Sequence, residues 1–145
     1  MRMIIAVDFD GTIVENRYPD IGKEIPFATE TLRMLIHDGH QLILWTVREG
    51  KYLDEAVDWC FLHGVSFYAI NKNYPEEKVH YQYGYYKKIY ADYFIDDCNI
   101  GGLPDWGLIY HIVNQHVTLN NTCFYYNSIK PTIPKKLSWW KRLFI

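Results

Sequence analysis

Met3-Ile4-Ile5-Ala6-Val7 is an unbroken apolar run, rich in branched side chains, that stops at Asp8. A strand with one face in water alternates apolar and polar residues. A continuous run predicts a strand buried on both faces, as in a parallel sheet sandwiched between helices. Gln41 to Trp45, Phe67 to Ile70 and Tyr93 to Ile95 repeat the pattern. Helical periods separate them. Ala28, Leu32, Leu35 and Ile36 share one face after Pro26, with Gly39 as a left-handed stop. Leu53, Ala56, Val57, Cys60 and Phe61 do the same before Gly64. Pro104 is expected to open a last helix with Trp106, Ile109, Ile112, Val113 and His116 on one face. The expected fold class is α/β: three layers, a mostly parallel central sheet and right-handed crossovers.

Residues 13–25 hold Asn16, Pro19, Asp20 and Gly22 and predict a loop or small hairpin. Residues 71–90 carry Asn71, Asn73, Pro75, Gly84 and many Tyr without a period, so a long ordered loop is expected. The 145 residues suit one domain, set at 1–118, followed by a basic and aromatic extension at 119–145. Apolar residues make up 49% and charged residues 22%, which excludes a disordered chain. A net charge of -2 argues against a protein built to grip long nucleic acids. Cys60, Cys98 and Cys123 are odd in number and widely spaced, suggesting neither a disulfide framework nor a metal knuckle. Reduced thiols, an apolar start too short for a signal peptide and no stretch near ~20 apolar residues predict a cytoplasmic protein.

Polar clusters fall at strand carboxyl ends, where ligands bind in such sheets. They are Asp8/Asp10, Thr46/Arg48 and Asp96/Asp97. Asp8 and Asp10, two apart, point to one side, and Gly11 permits a sharp turn. Carboxylates so close repel, and a hard cation relieves the repulsion; Mg²⁺ prefers such oxygen ligands. A bound phosphoryl group then needs donors. Thr46 offers a hydroxyl, Lys87 or Lys88 an ammonium, and Arg48 a bidentate clamp. The set matches phosphoryl transfer through a carboxylate nucleophile.

These residues resemble the haloacid dehalogenase-like superfamily. Asp8-Phe9-Asp10-Gly11-Thr12 is similar to its first motif, and Thr46 after Leu42-Ile43-Leu44-Trp45 to its second. Lys88 fits the third and Asp96-Asp97 the fourth. The likeness runs to about residue 115. It is nearest to the small hydrolases without a cap domain, and Ile100 to Trp106 looks like a small bacterial group among them. The resemblance implies a Rossmann-like, capless phosphatase. Asp8 would form an aspartyl-phosphate, and Asp10 would protonate the leaving group and then deprotonate water. Thr46 and Lys88 would hold phosphoryl oxygens. Mg²⁺ would bind Asp8, the Asp10 carbonyl, Asp96 and Asp97, the last directly or through water. Gly11, Thr12, Arg48 and Lys87 are expected at the substrate phosphate, with Lys72 and Lys78 as further rivals for the lysine role. Many small relatives carry a basic residue where this chain has Cys98.

Other features are plainer. The six His lack zinc spacing. Cys98 stands beside two carboxylates that disfavour its thiolate. Tyr81, Tyr83, Tyr85, Tyr86 and Tyr90 suit a packed loop or a stacking surface. Residues 134–145 mix Lys and Arg with Trp and Phe, which suits packing, partner docking or peripheral membrane contact. The expected activity is Mg²⁺-dependent phosphomonoester hydrolysis on a phosphorylated small molecule. The alternatives are a nucleotide or polynucleotide-end phosphatase, and a non-catalytic binding protein tethered by its tail.

Overall fold

Consecutive residues Ile5, Ala6 and Val7 are all within 1% of full burial. Neighbouring strand residues point to opposite faces, so both faces of this strand are covered. The computed structural model describes residues 2–78 and 88–115. The chain divides into two units, Met1–Tyr110 and His111–Ile145. Only residues 111–115 of the second are described. The expected boundary at 118/119, the extension, Lys87 and four of the five clustered Tyr lie outside the described residues.

The elements are β1 (Ile4–Val7), α1 (Ala28–His37), β2 (Gln41–Leu44), α2 (Gly50–Leu62), β3 (Ala69–Ile70), β4 (Tyr93–Ile95) and α3 (Trp106–Gln115). The strands form one sheet in the order β3-β2-β1-β4. Every pairing is parallel. This is the expected α/β sandwich of Rossmann-like type. Ala69, Ile43, Ala6 and Phe94 stand side by side in register across all four strands. Ile89, Ile4, Trp45 and Ala91 pack on that row to build one core layer. Each buried Ile or Leu contributes about 1.5–3 kcal/mol, so the row holds β1 firmly between β2 and β4.

Several element ends differ from the expectation. The first helix begins at Ala28 rather than Pro26, because Phe27 is left-handed at φ 68°. Glu24 caps it from outside, accepting from the Thr29 amide at 2.9 Å and the Thr29 hydroxyl at 2.6 Å. Gly39, at φ 91°, ends it as expected. The second helix starts three residues before the Leu53 period. The third strand keeps only two residues. The last helix starts at Trp106, where the Asp105 carboxylate accepts from the Leu108 amide at 2.9 Å. Asp105 is thus the N-cap, and Pro104 precedes it.

Residues 13–25 form the expected small hairpin. Val14 bridges Glu24, the Glu15 amide donates to the Lys23 carbonyl at 2.7 Å, and the Ile25 amide to the Ile13 carbonyl at 2.9 Å. Ile13 and Val14 are fully buried, so the base of this flap is part of the core. Among the described residues no helix is long and apolar enough to cross a membrane.

Candidate active site

β1, β2 and β4 end side by side, and their next residues make the site. The Asp8 amide donates to the Ile95 carbonyl at 3.0 Å, and the Trp45 amide to the Val7 carbonyl at 2.8 Å. The ladder therefore runs on past the strands and holds Asp8, Trp45 and Asp96 in line. A cavity of about 300 Å³ opens there, lined by Asp8, Trp45, Thr46, Val47, Glu49, Asn71 and Asp96. The sequence brought Asp8, Thr46 and Asp96 to separate strand ends; the fold brings all three to one wall.

Burial pushes the Asp8 carboxyl up to about 7, with the charges of Asp96, Asp97 and Asp10 adding to the rise and a backbone hydrogen bond at Phe9 opposing it. Asp97 sits behind Asp8. Its amide donates to the Thr12 hydroxyl oxygen at 3.0 Å, and that oxygen lies 3.4 Å from Asp8 Oδ2 and 3.5 Å from Asp97 Oδ1. Thr12 is fully buried. It joins the ends of β1 and β4 and does not line the cavity. The Gly11 amide donates to the Val14 carbonyl at 2.7 Å.

Thr46 is held from two sides. The Asn71 side chain accepts from the Thr46 amide at 2.8 Å and donates to the Thr46 carbonyl at 2.9 Å. The Arg48 amide donates to the Thr46 hydroxyl oxygen at 3.2 Å. Accepting there leaves the hydroxyl hydrogen for a group in the cavity. Asn71 reaches this position with a left-handed backbone, φ 51°, which Asn tolerates better than most residues.

Arg48 was expected at the substrate and is elsewhere. It is fully buried, with Nε 2.6 Å from Asp10 Oδ2 and Nη2 2.7 Å from Asp10 Oδ1. Its remaining donors reach the carbonyls of Pro19 and Asp20, each at 2.9 Å. The guanidinium carbon lies 5.0 Å from the Phe9 ring centroid and 5.3 Å from that of Tyr18. A planar five-donor group fits this fork-shaped socket, and an ammonium would not. Both oxygens of Asp10 are therefore engaged, and its carboxylate is not on the cavity wall.

Lys88 also departs from expectation. It is exposed, its ammonium lies 5.9 Å from the Phe94 ring centroid, and it lines a separate depression with Asn73, Tyr74 and Glu77. Lys72 donates to the Pro75 carbonyl, and Lys78 is exposed. None of the three lines the cavity of Asp8.

Asp96, Asp97 and Cys98 bring their ligand atoms within 4.8 Å of one another. Asp97 and Asp96 raise the Cys98 thiol above its ordinary value, so it stays protonated and makes a poor soft ligand. The usable donors are carboxylate oxygens. Burial first, and the neighbouring carboxylates after it, raise Asp8 to about 7, and oxygen donors grouped in this way fit a hard divalent cation such as Mg²⁺.

A solved structure, the conserved protein coded by a locus from Bacteroides thetaiotaomicron, is 56% identical to this chain. The match covers 84% of this chain and 98% of that one, with a TM-score of 0.77. The two belong to one family. The two share the α/β sandwich. No family model matches the sequence. No curated protein matches it.

Sequence reasoning did not single out Trp45, Val47 or Glu49 for the site. Trp45 and Val47 flank Thr46 and Glu49 precedes α2 three residues on, and that closeness in sequence was the available signal.

Proposed function

We propose that the protein is a divalent-metal-dependent phosphomonoester hydrolase working through an aspartyl-phosphate on Asp8. The observation that carries this reading is that Asp8 and Asp96, from adjacent strands, line one cavity together with Thr46. Asp8, Asp96 and Asp97, with the Asp10 carbonyl, would hold Mg²⁺. That ion would offset the crowded negative charge and the charge developing on the phosphoryl oxygens.

Asp8 then attacks phosphorus as the bond to the leaving oxygen breaks. The Thr46 hydroxyl donates to a phosphoryl oxygen. The resemblance gives Asp10 both proton transfers, to the leaving oxygen and later from the water that releases phosphate from Asp8; to make them its carboxylate would leave Arg48 and turn toward the cavity. Lys88 is not assigned to the phosphoryl oxygens, since it stands in another depression. The open cavity has no cap domain over it in the described chain, and the flap at 15–24 is the element beside Asp10.

A panel of phosphorylated metabolites, assayed for phosphate release with Mg²⁺ and with a chelator, tests this reading. Release with Mg²⁺ that disappears with chelator is expected. Equal release in both conditions, or none across the panel, contradicts it.

A further inference from the structure

The Asp10–Arg48 pair joins three segments that the strands alone do not join. Arg48 leaves the end of β2. Its Nε and Nη2 hold both oxygens of Asp10, at the end of β1. Its Nη1 and Nη2 hold the carbonyls of Pro19 and Asp20, at the tip of the flap. Phe9 and Tyr18 lie against it, one from the strand end and one from the flap. Tyr18 in turn meets Tyr52 of α2 edge-on, with centroids 5.7 Å apart.

Carbonyl acceptors on the flap are backbone atoms. They follow the flap wherever it goes, and the guanidinium follows them. A planar ion with fixed donor directions cannot keep two carboxylate bonds while two carbonyls shift. The direction of the Asp10 carboxylate is therefore tied to the position of the flap.

We infer that Arg48 is a positioning residue that couples the 15–24 flap to the acid/base carboxylate of Asp10. The inference rests on the proposed phosphatase reading for its kinetic part, and on geometry alone for its flap part. In the first half-reaction the Asp8 oxygen–phosphorus bond forms, the phosphorus–leaving-oxygen bond breaks, and the leaving oxygen takes a proton from Asp10. In the second, water oxygen bonds to phosphorus, the Asp8–phosphorus bond breaks, and the water proton goes to Asp10. Only the first enters kcat/KM. A leaving group of high basicity, such as an alkoxide, needs the Asp10 proton; p-nitrophenolate does not.

Arg48→Lys keeps the charge and loses the fork. The test compares wild type and Arg48→Lys on an alkyl phosphate and on p-nitrophenyl phosphate, alongside amide hydrogen exchange at residues 15–24. Tyr18→Leu, at a half-exposed position, serves as the second variant from the flap side. In Arg48→Lys, kcat/KM is expected to fall on the order of 10²-fold for the alkyl ester and only a few-fold for the aryl ester. Flap amides are expected to exchange faster in both variants. Equal losses on the two esters overturn the positioning role. Unchanged flap exchange overturns the coupling. Wild type inactive on both esters removes the phosphatase reading, and the exchange arm then decides the coupling by itself.

Discussion

A methyl group placed on Gly11 would lie 2.3 Å from an Oδ of Asp97. The first acidic motif is thus packed against the second through a bare backbone position, at φ +84° where side chains are strained. Gly11→Ala is expected to cost about 1–2 kcal/mol from the backbone alone. It should also push the Asp97 carboxylate off Thr12 and weaken divalent-ion binding. Thermal unfolding and Mg²⁺ titration by calorimetry check the two effects. Unaltered Mg²⁺ affinity would remove Asp97 from the metal set.

Asp8 carries a pH prediction of its own. Its folded-state value, about 7, lies above the ordinary 3.8. The native state therefore holds that proton more tightly than the unfolded chain. The stability this contributes is complete below about pH 4 and is lost as pH rises through 7. Asp8→Asn does not lose it. In chelator, the variant is expected to gain roughly 1–2 kcal/mol over wild type between pH 4 and pH 8, allowing for solvent screening. With Mg²⁺ present, wild type should recover the difference. Denaturant titration across pH measures both.

Breaking the Asp10–Arg48 pair from one side leaves a charge with no partner. Arg48→Ala is expected to cost about 3–5 kcal/mol, since Arg48 is fully buried and Asp10 nearly so. Replacing both, Asp10→Asn with Arg48→Met, should recover a large part of that loss in stability and none of the turnover. Urea unfolding of the two variants separates stability from function. A loss below 1 kcal/mol in Arg48→Ala would show that the socket is not a structural keystone.

Asn71 predicts a split between kinetic constants. Asn71→Gly keeps the left-handed backbone and removes both bonds to Thr46. A Thr46 hydroxyl out of place by ~1 Å lowers kcat on the order of 10²-fold, with a smaller change in stability. Steady-state kinetics with Mg²⁺ reads the ratio. Wild-type kcat in Asn71→Gly would remove Thr46 from the reaction.

The strands were legible because buried parallel strands announce themselves as apolar runs, and Ile4–Val7 and Gln41–Leu44 are such runs. The placing of Asp8, Thr46 and Asp96 on one wall followed from topology, since parallel strands bring their carboxyl ends together. Element ends were less legible. The first turn of α2 carries no buried apolar side chain, so its period was visible only from Leu53. Arg48 was misplaced for a different reason. A charged residue after a strand reads the same whether it faces a ligand or turns inward. What turns Arg48 inward are Asp10 and the flap carbonyls of Pro19 and Asp20, all remote in sequence. Lys88 falls near the acidic pair along the chain, but its side chain lies over Phe94.

The most direct test of the central claim is the covalent state of Asp8 during turnover. Wild-type protein is acid-quenched while hydrolysing a phosphomonoester with Mg²⁺, digested, and its peptides weighed by mass spectrometry. The account predicts one phosphoryl group on the peptide bearing Asp8, assigned to that side chain by fragmentation, and none in Asp8→Asn. Steady phosphate release with no phosphoryl group on Asp8, or release that survives in Asp8→Asn, would contradict it.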